Sequence, residues 1–397
     1  MNFEKGNEVT LGTLMGHINS VYTKIKTGNQ QLKFDKVEDF ITDDSKAAEF
    51  IRVILHDDDF QSPDEGSELY EVAKVRARHS VITFLIGLVF LEFNNFEEKI
   101  GRAFFPNEPN VKDLVTRMWM ITALYHDYGY FVDDLKNGKV NLKKGIKYYL
   151  LDDTYKQESL ASLSDYCLHH QAGLAYTYGE IEAYDEYARL FHQNTEGKEK
   201  VDHGILGGVR IFQRLLSRAE KQHVQKVELI TIKTSCLAIA QHNIFKSPSI
   251  EKDKEYGKRL KKLYHDSNFV ICEDTPLLFL LCLVDTFECV KKLSKKENKA
   301  DYFETETVLS SIRISVCLDE ILIDYSELER RVSAKNSGLQ DSYLKYKGGL
   351  FGIETWTAIR VMATLDNKPM ISIKPVPYNA TSNPSIAAST DEEAIYV

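Results

Sequence analysis

Residues 67–91 read SELYEVAKVRARHSVITFLIGLVFL. Val72, Val75, His79, Ile82, Ile86 and Val89 recur at spacings of three and four, the period of one helix face, and Ser67 stands where it can cap the start. Such a stripe belongs in a core, and this one carries a histidine. The same period returns downstream. It predicts a helix from Val111 to about His126, with Leu114, Met118, Ile121 and Leu124 or Tyr125 facing inward. A third helix begins near Asp202 with Ile205, Val209, Phe212 and Leu216 on one face, and a fourth covers 229–242. Thr275 followed by Pro276 marks a fifth, apolar on nearly every side from Leu277 to Val284.

After residue 305 the period changes. Ile312–Val316 and Glu320–Tyr325 alternate like two strands joined at Leu318-Asp319, a helical stretch follows, and Met370–Val376 alternates again. The expected fold class is therefore mainly α, a helical core with a small C-terminal α+β appendage. A chain of 397 residues exceeds one minimal core. The expected divisions are an N-terminal helical extension (1–66), a helical domain (67–300) with an insertion at 131–200, an α+β unit (305–376) and a flexible tail (377–397). The insertion is rich in tyrosine, from Tyr148 to Tyr187, and is expected to be a lid, a pocket wall or a packed hairpin.

Hydrophobic residues at 43% and charged residues at 27% supply a core and argue against bulk disorder. The net charge of −9 disfavours broad binding to nucleic acid or to anionic membranes. Six cysteines without a CxxC pair, mostly in apolar runs, read as reduced thiols and a cytoplasmic chain. Val81–Leu91, the longest strongly apolar stretch, is too short to span a bilayer, and the acidic N-terminus does not resemble a signal peptide.

Three His-Asp dipeptides occur, at 56, 126 and 265. The first runs into further aspartates and the last follows a Lys-rich helix, as solvated termini do. His126-Asp127 instead ends an apolar run and precedes Tyr128-Gly129, where the chain can turn at a buried helix end. Asp285 lies within LLFLLCLVDTFECV, which supplies no basic residue until Lys291, and an unpaired buried carboxylate costs several kcal/mol. His203 precedes Gly207 by one turn, so another backbone or a ligand can come close, and His242 ends an apolar helix. Each residue taken alone has a plain explanation: a core histidine for His79, a partly exposed one for His203, a helix-dipole partner for His242. Together they need five separate explanations against one metal centre.

The order RARHS, LYHDYG, DHGILGG, AIAQHN, LVDTFE resembles the HD phosphohydrolase superfamily over roughly residues 67–295. The resemblance implies that His79, His126, Asp127 and Asp285 bind a first metal ion, and that Asp127 bridges to a second held by His203 and His242. One or two divalent transition metals are implied, Mn, Fe, Co or Zn, with Mg also admissible. Asp127 and His203 would then be catalytic, together with Tyr130, which stands where several branches carry Lys or His. Arg76, Arg78, Lys198 and Lys200 are the candidate phosphate contacts. The implied substrate is a small-molecule nucleotide, first a deoxynucleoside triphosphate, alternatively a cyclic dinucleotide or dinucleoside polyphosphate. A nucleotide-sensing module without turnover is the competing class, and a homo-oligomer is compatible with either.

Overall fold

The computed structural model describes residues 9–10, 19–20, 22–24, 26, 35–55, 68–93, 96–129, 203–204, 207–208, 211–212, 215, 226–243, 270, 272, 275–294, 302–317, 320–335, 337–357, 359–362 and 370–375. The insertion at 131–200 and the tail at 377–397 lie outside them, as do Tyr130, Lys198 and Lys200.

After strand β1 (Val9–Thr10), helices α1 (Glu38–Ile41) and α2 (Asp44–Ile54) precede a long α3 (Glu68–Phe93). Asp43 caps α2, accepting from the backbone N–H groups of Ser45 at 2.8 Å and Lys46 at 3.1 Å. Then come α4 (Phe96–Phe104), α5 (Val111–Tyr125), α6 (Lys226–Gln241), α7 (Pro276–Phe287) and a short α8 (Val290–Leu293). Residues 203–204, 207–208, 211–212 and 215 are helical as well. The four long helices read from periodicity are thus present, and α7 starts at the expected proline. Its N-cap Thr275 makes no side-chain capping hydrogen bond.

The periodicity assigns α3 one inward face, but every residue from Val81 to Leu91 is buried. Helices α2, α4, α5 and α7 surround it, so α3 is the central helix. It crosses α5 closely because Gly87 has no side chain: a Cβ there would lie 1.9 Å from Cζ2 of Trp119. The wholly buried Trp119 indole N–H donates to the Phe84 carbonyl at 2.9 Å. Between α5 and α6, the Met118 carbonyl accepts from Thr122 Oγ1 at 2.8 Å and Ser235 Oγ at 3.0 Å.

The C-terminal part contains α9 (Thr305–Ser310), β2 (Arg313–Cys317), β3 (Glu320–Asp324), α10 (Ser326–Ser333), α11 (Ser337–Phe351), β4 (Ile359–Met362) and β5 (Met370–Pro375). Its antiparallel sheet has the order β1-β2-β3-β5-β4. The three alternating segments are strands β2, β3 and β5, with ends within about two residues of expectation. Strands β1 and β4 were not anticipated. Buried Leu339, Tyr343, Tyr346 and Leu350 of α11 share one core cluster with α3, α5 and α7. No single helix among the described residues is long and apolar enough to cross a membrane.

Candidate metal centre

Four helix-borne segments and one helical turn converge on a buried cluster. His79 comes from the middle of α3, His126 and Asp127 from the end of α5, His203 from the helical residues after 202, His242 from the end of α6 and Asp285 from the last turn of α7. Five of these six are buried. The Asp285 side chain retains 19% exposure and meets His79 Nε2 at 2.9 Å. It is therefore partly rather than wholly buried, with a histidine beside it.

The local chain prepares the histidines. His126 Nδ1–H donates to the Ala123 carbonyl at 2.7 Å, and His242 Nδ1–H to the Ile239 carbonyl at 2.6 Å. Both residues end a helix, where carbonyls without intrahelical partners are within reach. A carbonyl only accepts, so the proton is held on Nδ1 and the Nε2 lone pair faces inward in the neutral ring. His79 Nδ1–H donates to Glu288 Oε2 at 2.6 Å. Such hydrogen bonds on the outer ring nitrogen are how proteins orient metal-binding imidazoles.

The inward atoms form two groups that share Asp127: His79, His126 and Asp127, and Asp127, His203 and His242. His79 and His126 Nε2 are 3.2 Å apart, as are His203 and His242 Nε2. Asp127 Oδ2 lies 3.6 Å from His79 Nε2, and Oδ1 lies 3.5 Å from His126 Nε2 and 3.6 Å from His203 Nε2. Asp285 Oδ1 is 3.7 Å from His126 Nε2. Two ligands about 2.1 Å from one ion and about 90–110° apart are separated by roughly 3.0–3.4 Å. The donor spacings sit close to that edge, and imidazole with carboxylate is a suitable donor set for Mn, Fe, Co or Zn. The residues present therefore fit a divalent ion.

Electrostatics agree with this. Burial, reinforced by the charge of His242, pushes the His203 pKa well below its ordinary value and keeps the ring neutral, as a ligand must be. Burial alone would raise the Asp127 pKa, but Lys291, His126, Arg76 and His79 together hold it well below the usual carboxylate range. Burial and Lys291 oppose a charge on His79, yet Glu288 and Asp285 outweigh them and its pKa is raised. The carboxylates around His79 thus favour positive charge there.

Among the candidate phosphate contacts, Arg76 Nη1 reaches Asp127 Oδ2 at 3.4 Å. Arg78 turns away, pairing with Asp44 Oδ1 at 3.0 Å and the Thr42 carbonyl at 3.4 Å. Two participants were not assigned from sequence. Glu288 follows Asp285 by three residues, a helical spacing that could have revealed it. Lys291 Nζ reaches Asp127 Oδ2 at 3.1 Å from beyond the end of α7, where no periodic rule applies.

Gly129 and Gly207 set the approach between the halves of the centre. A Cβ on Gly129 would stand 1.7 Å from the His203 carbonyl oxygen and 2.9 Å from Gly207 N. This contact brings the turn after His126-Asp127 directly against the segment bearing His203.

No protein-family model matches the chain, and neither a search of curated proteins nor one of solved structures finds a match. The molecule itself shows a mainly helical chain whose buried histidine and aspartate groups are able to hold a divalent metal ion, an arrangement compatible with an HD-like site.

Proposed function

We propose that the chain is a metal-dependent phosphohydrolase of the HD type acting on a nucleotide, with a deoxynucleoside triphosphate as the first substrate to test. The observation that supports it best is the shared position of Asp127, whose oxygens face His79 on one side and His126 and His203 on the other. Bound divalent ions would supply Lewis acidity, polarising a phosphoryl oxygen and making water a stronger nucleophile at neutral pH. The chain's own contribution is preorganisation. Ala123, Ile239 and Glu288 hold the imidazoles in the required tautomer, the apolar walls of α3 and α7 exclude bulk water, and Arg76 places positive charge beside the shared carboxylate. Tyr130 is assigned to proton transfer or phosphate contact by its place in the motif.

Mn-loaded protein assayed against nucleoside triphosphates, cyclic dinucleotides and dinucleoside polyphosphates should release phosphate-containing products from at least one class. Asp127→Ala should abolish both hydrolysis and metal retention, since among the described residues it alone belongs to both metal-binding groups. His203→Ala or His242→Ala should lose mainly the second ion. Undiminished turnover and metal content in Asp127→Ala would reject the reading. One observation favours nucleotide sensing without turnover: Lys291 and Arg76 already offset the charge of Asp127 without an ion. A purified chain without stoichiometric metal that still binds nucleotide would support that alternative.

A further inference from the structure

Lys291 is not used by the metal assignment, yet it touches the residue at its centre. Its side chain retains 27% exposure, against 0–8% for His79, His126, Asp127 and His203, so it approaches Asp127 from the solvent side. Its position is fixed through the main chain. The Lys291 backbone N–H donates to Glu288 Oε1 at 3.1 Å and Oε2 at 3.2 Å, and the same carboxylate accepts from His79 at 2.6 Å. One buried glutamate thus ties the turn bearing Lys291 to the first histidine of the centre.

Charge then identifies the ligand. Asp127, Asp285 and Glu288 carry three negative charges against two positive charges on Arg76 and Lys291. One divalent ion leaves the cluster with one positive charge in excess, and two leave three. That excess lies beside a partly exposed lysine and calls for a polyanion.

We propose that Lys291 is the phosphate-binding cation of this centre, donating to a phosphoryl oxygen of the substrate and supplying from α8 a charge that Tyr130 does not. The proposal rests on the phosphohydrolase reading and narrows its substrate to a phosphate ester or anhydride whose charged phosphoryl group enters beside α8. An ammonium bound to phosphate is a charge-assisted hydrogen bond, so its loss should weaken binding by about 10- to 100-fold.

The test compares the parent chain with Lys291→Met and Lys291→Arg, each loaded with Mn and freed of excess metal. Metal per chain is measured, then affinity for inorganic phosphate by calorimetry, then KM and kcat on the nucleotide that the parent hydrolyses. Equal metal content, weaker phosphate binding and a raised KM are expected in Lys291→Met, with Lys291→Arg close to the parent because it keeps the charge. Parental phosphate affinity in Lys291→Met overturns the proposal, as does absence of phosphate binding by the parent. Loss of metal in Lys291→Met also overturns it, because the lysine would then support the ions rather than hold an anion. Nucleotide hydrolysis with a parental KM in Lys291→Met defeats the lysine's role alone. Lysine-dependent phosphate binding without hydrolysis of any nucleotide defeats the phosphohydrolase reading and leaves the anion site standing.

Discussion

Gly129→Ala adds a single methyl group at a point where the neighbouring atoms are backbone. Because that methyl would overlap the His203 carbonyl, His203 must move away from Asp127. The second ion should be lost and the first retained, which metal analysis of the purified variant would show; two ions at parental occupancy would contradict it. Glu288→Gln should act on the other half. The amide oxygen can still accept from His79 Nδ1, but without the negative charge that strengthens the bond. Affinity for the first ion is expected to fall by about 10- to 100-fold, measured by competition with a chelator. His79, His126 and Asp285 were legible as polar residues placed where apolar ones were expected. Lys291 was legible only as the first basic residue after that run; its partner is Asp127, far away in sequence.

At the scale of elements, the crossing of α3 and α5 turns on Gly87 and Trp119. A mid-helix glycine costs about 0.5–1 kcal/mol relative to alanine, so Gly87→Ala would stabilise an isolated helix. Here the new methyl would meet the indole. The net result should be destabilisation by about 1–3 kcal/mol, read as a lower Tm, with Trp119 displaced. An unchanged or raised Tm would show that the helices separate at little cost. Helices α3, α5, α6 and α7 were readable because each is long enough for its period to repeat. Strand β1 spans 2 residues and β4 spans 4, too few for alternation to be distinguished from chance.

Across the described residues, one hydrophobic cluster extends from Tyr22 to Trp356, and the sheet joins β1 to the C-terminal strands. A fragment of residues 302–397 would expose the apolar face that α11 presents to α7 and α8. It should show no cooperative thermal transition by circular dichroism; a sharp transition would establish independent folding. Metal should stabilise the whole chain by binding the folded state. At a free ion concentration about 100 times Kd the expected gain is about 2.7 kcal/mol, removed by chelator and restored by Mn. A Tm indifferent to chelator and to added Mn would count against an ion in the cluster.

The sequence by itself determined the mainly helical class, the main strands of the appendage and the residues equipped to bind metal, because periodicity and misplaced polar groups are local properties. Tertiary structure decided which of these residues meet. The pairing of His79 with Asp285 and Glu288, the turn of Arg78 toward Asp44 and the reach of Lys291 to Asp127 all depend on where helices cross. Those crossings are set by the fit of side chains such as Trp119 against Gly87, a relation between segments that no single stretch of sequence contains.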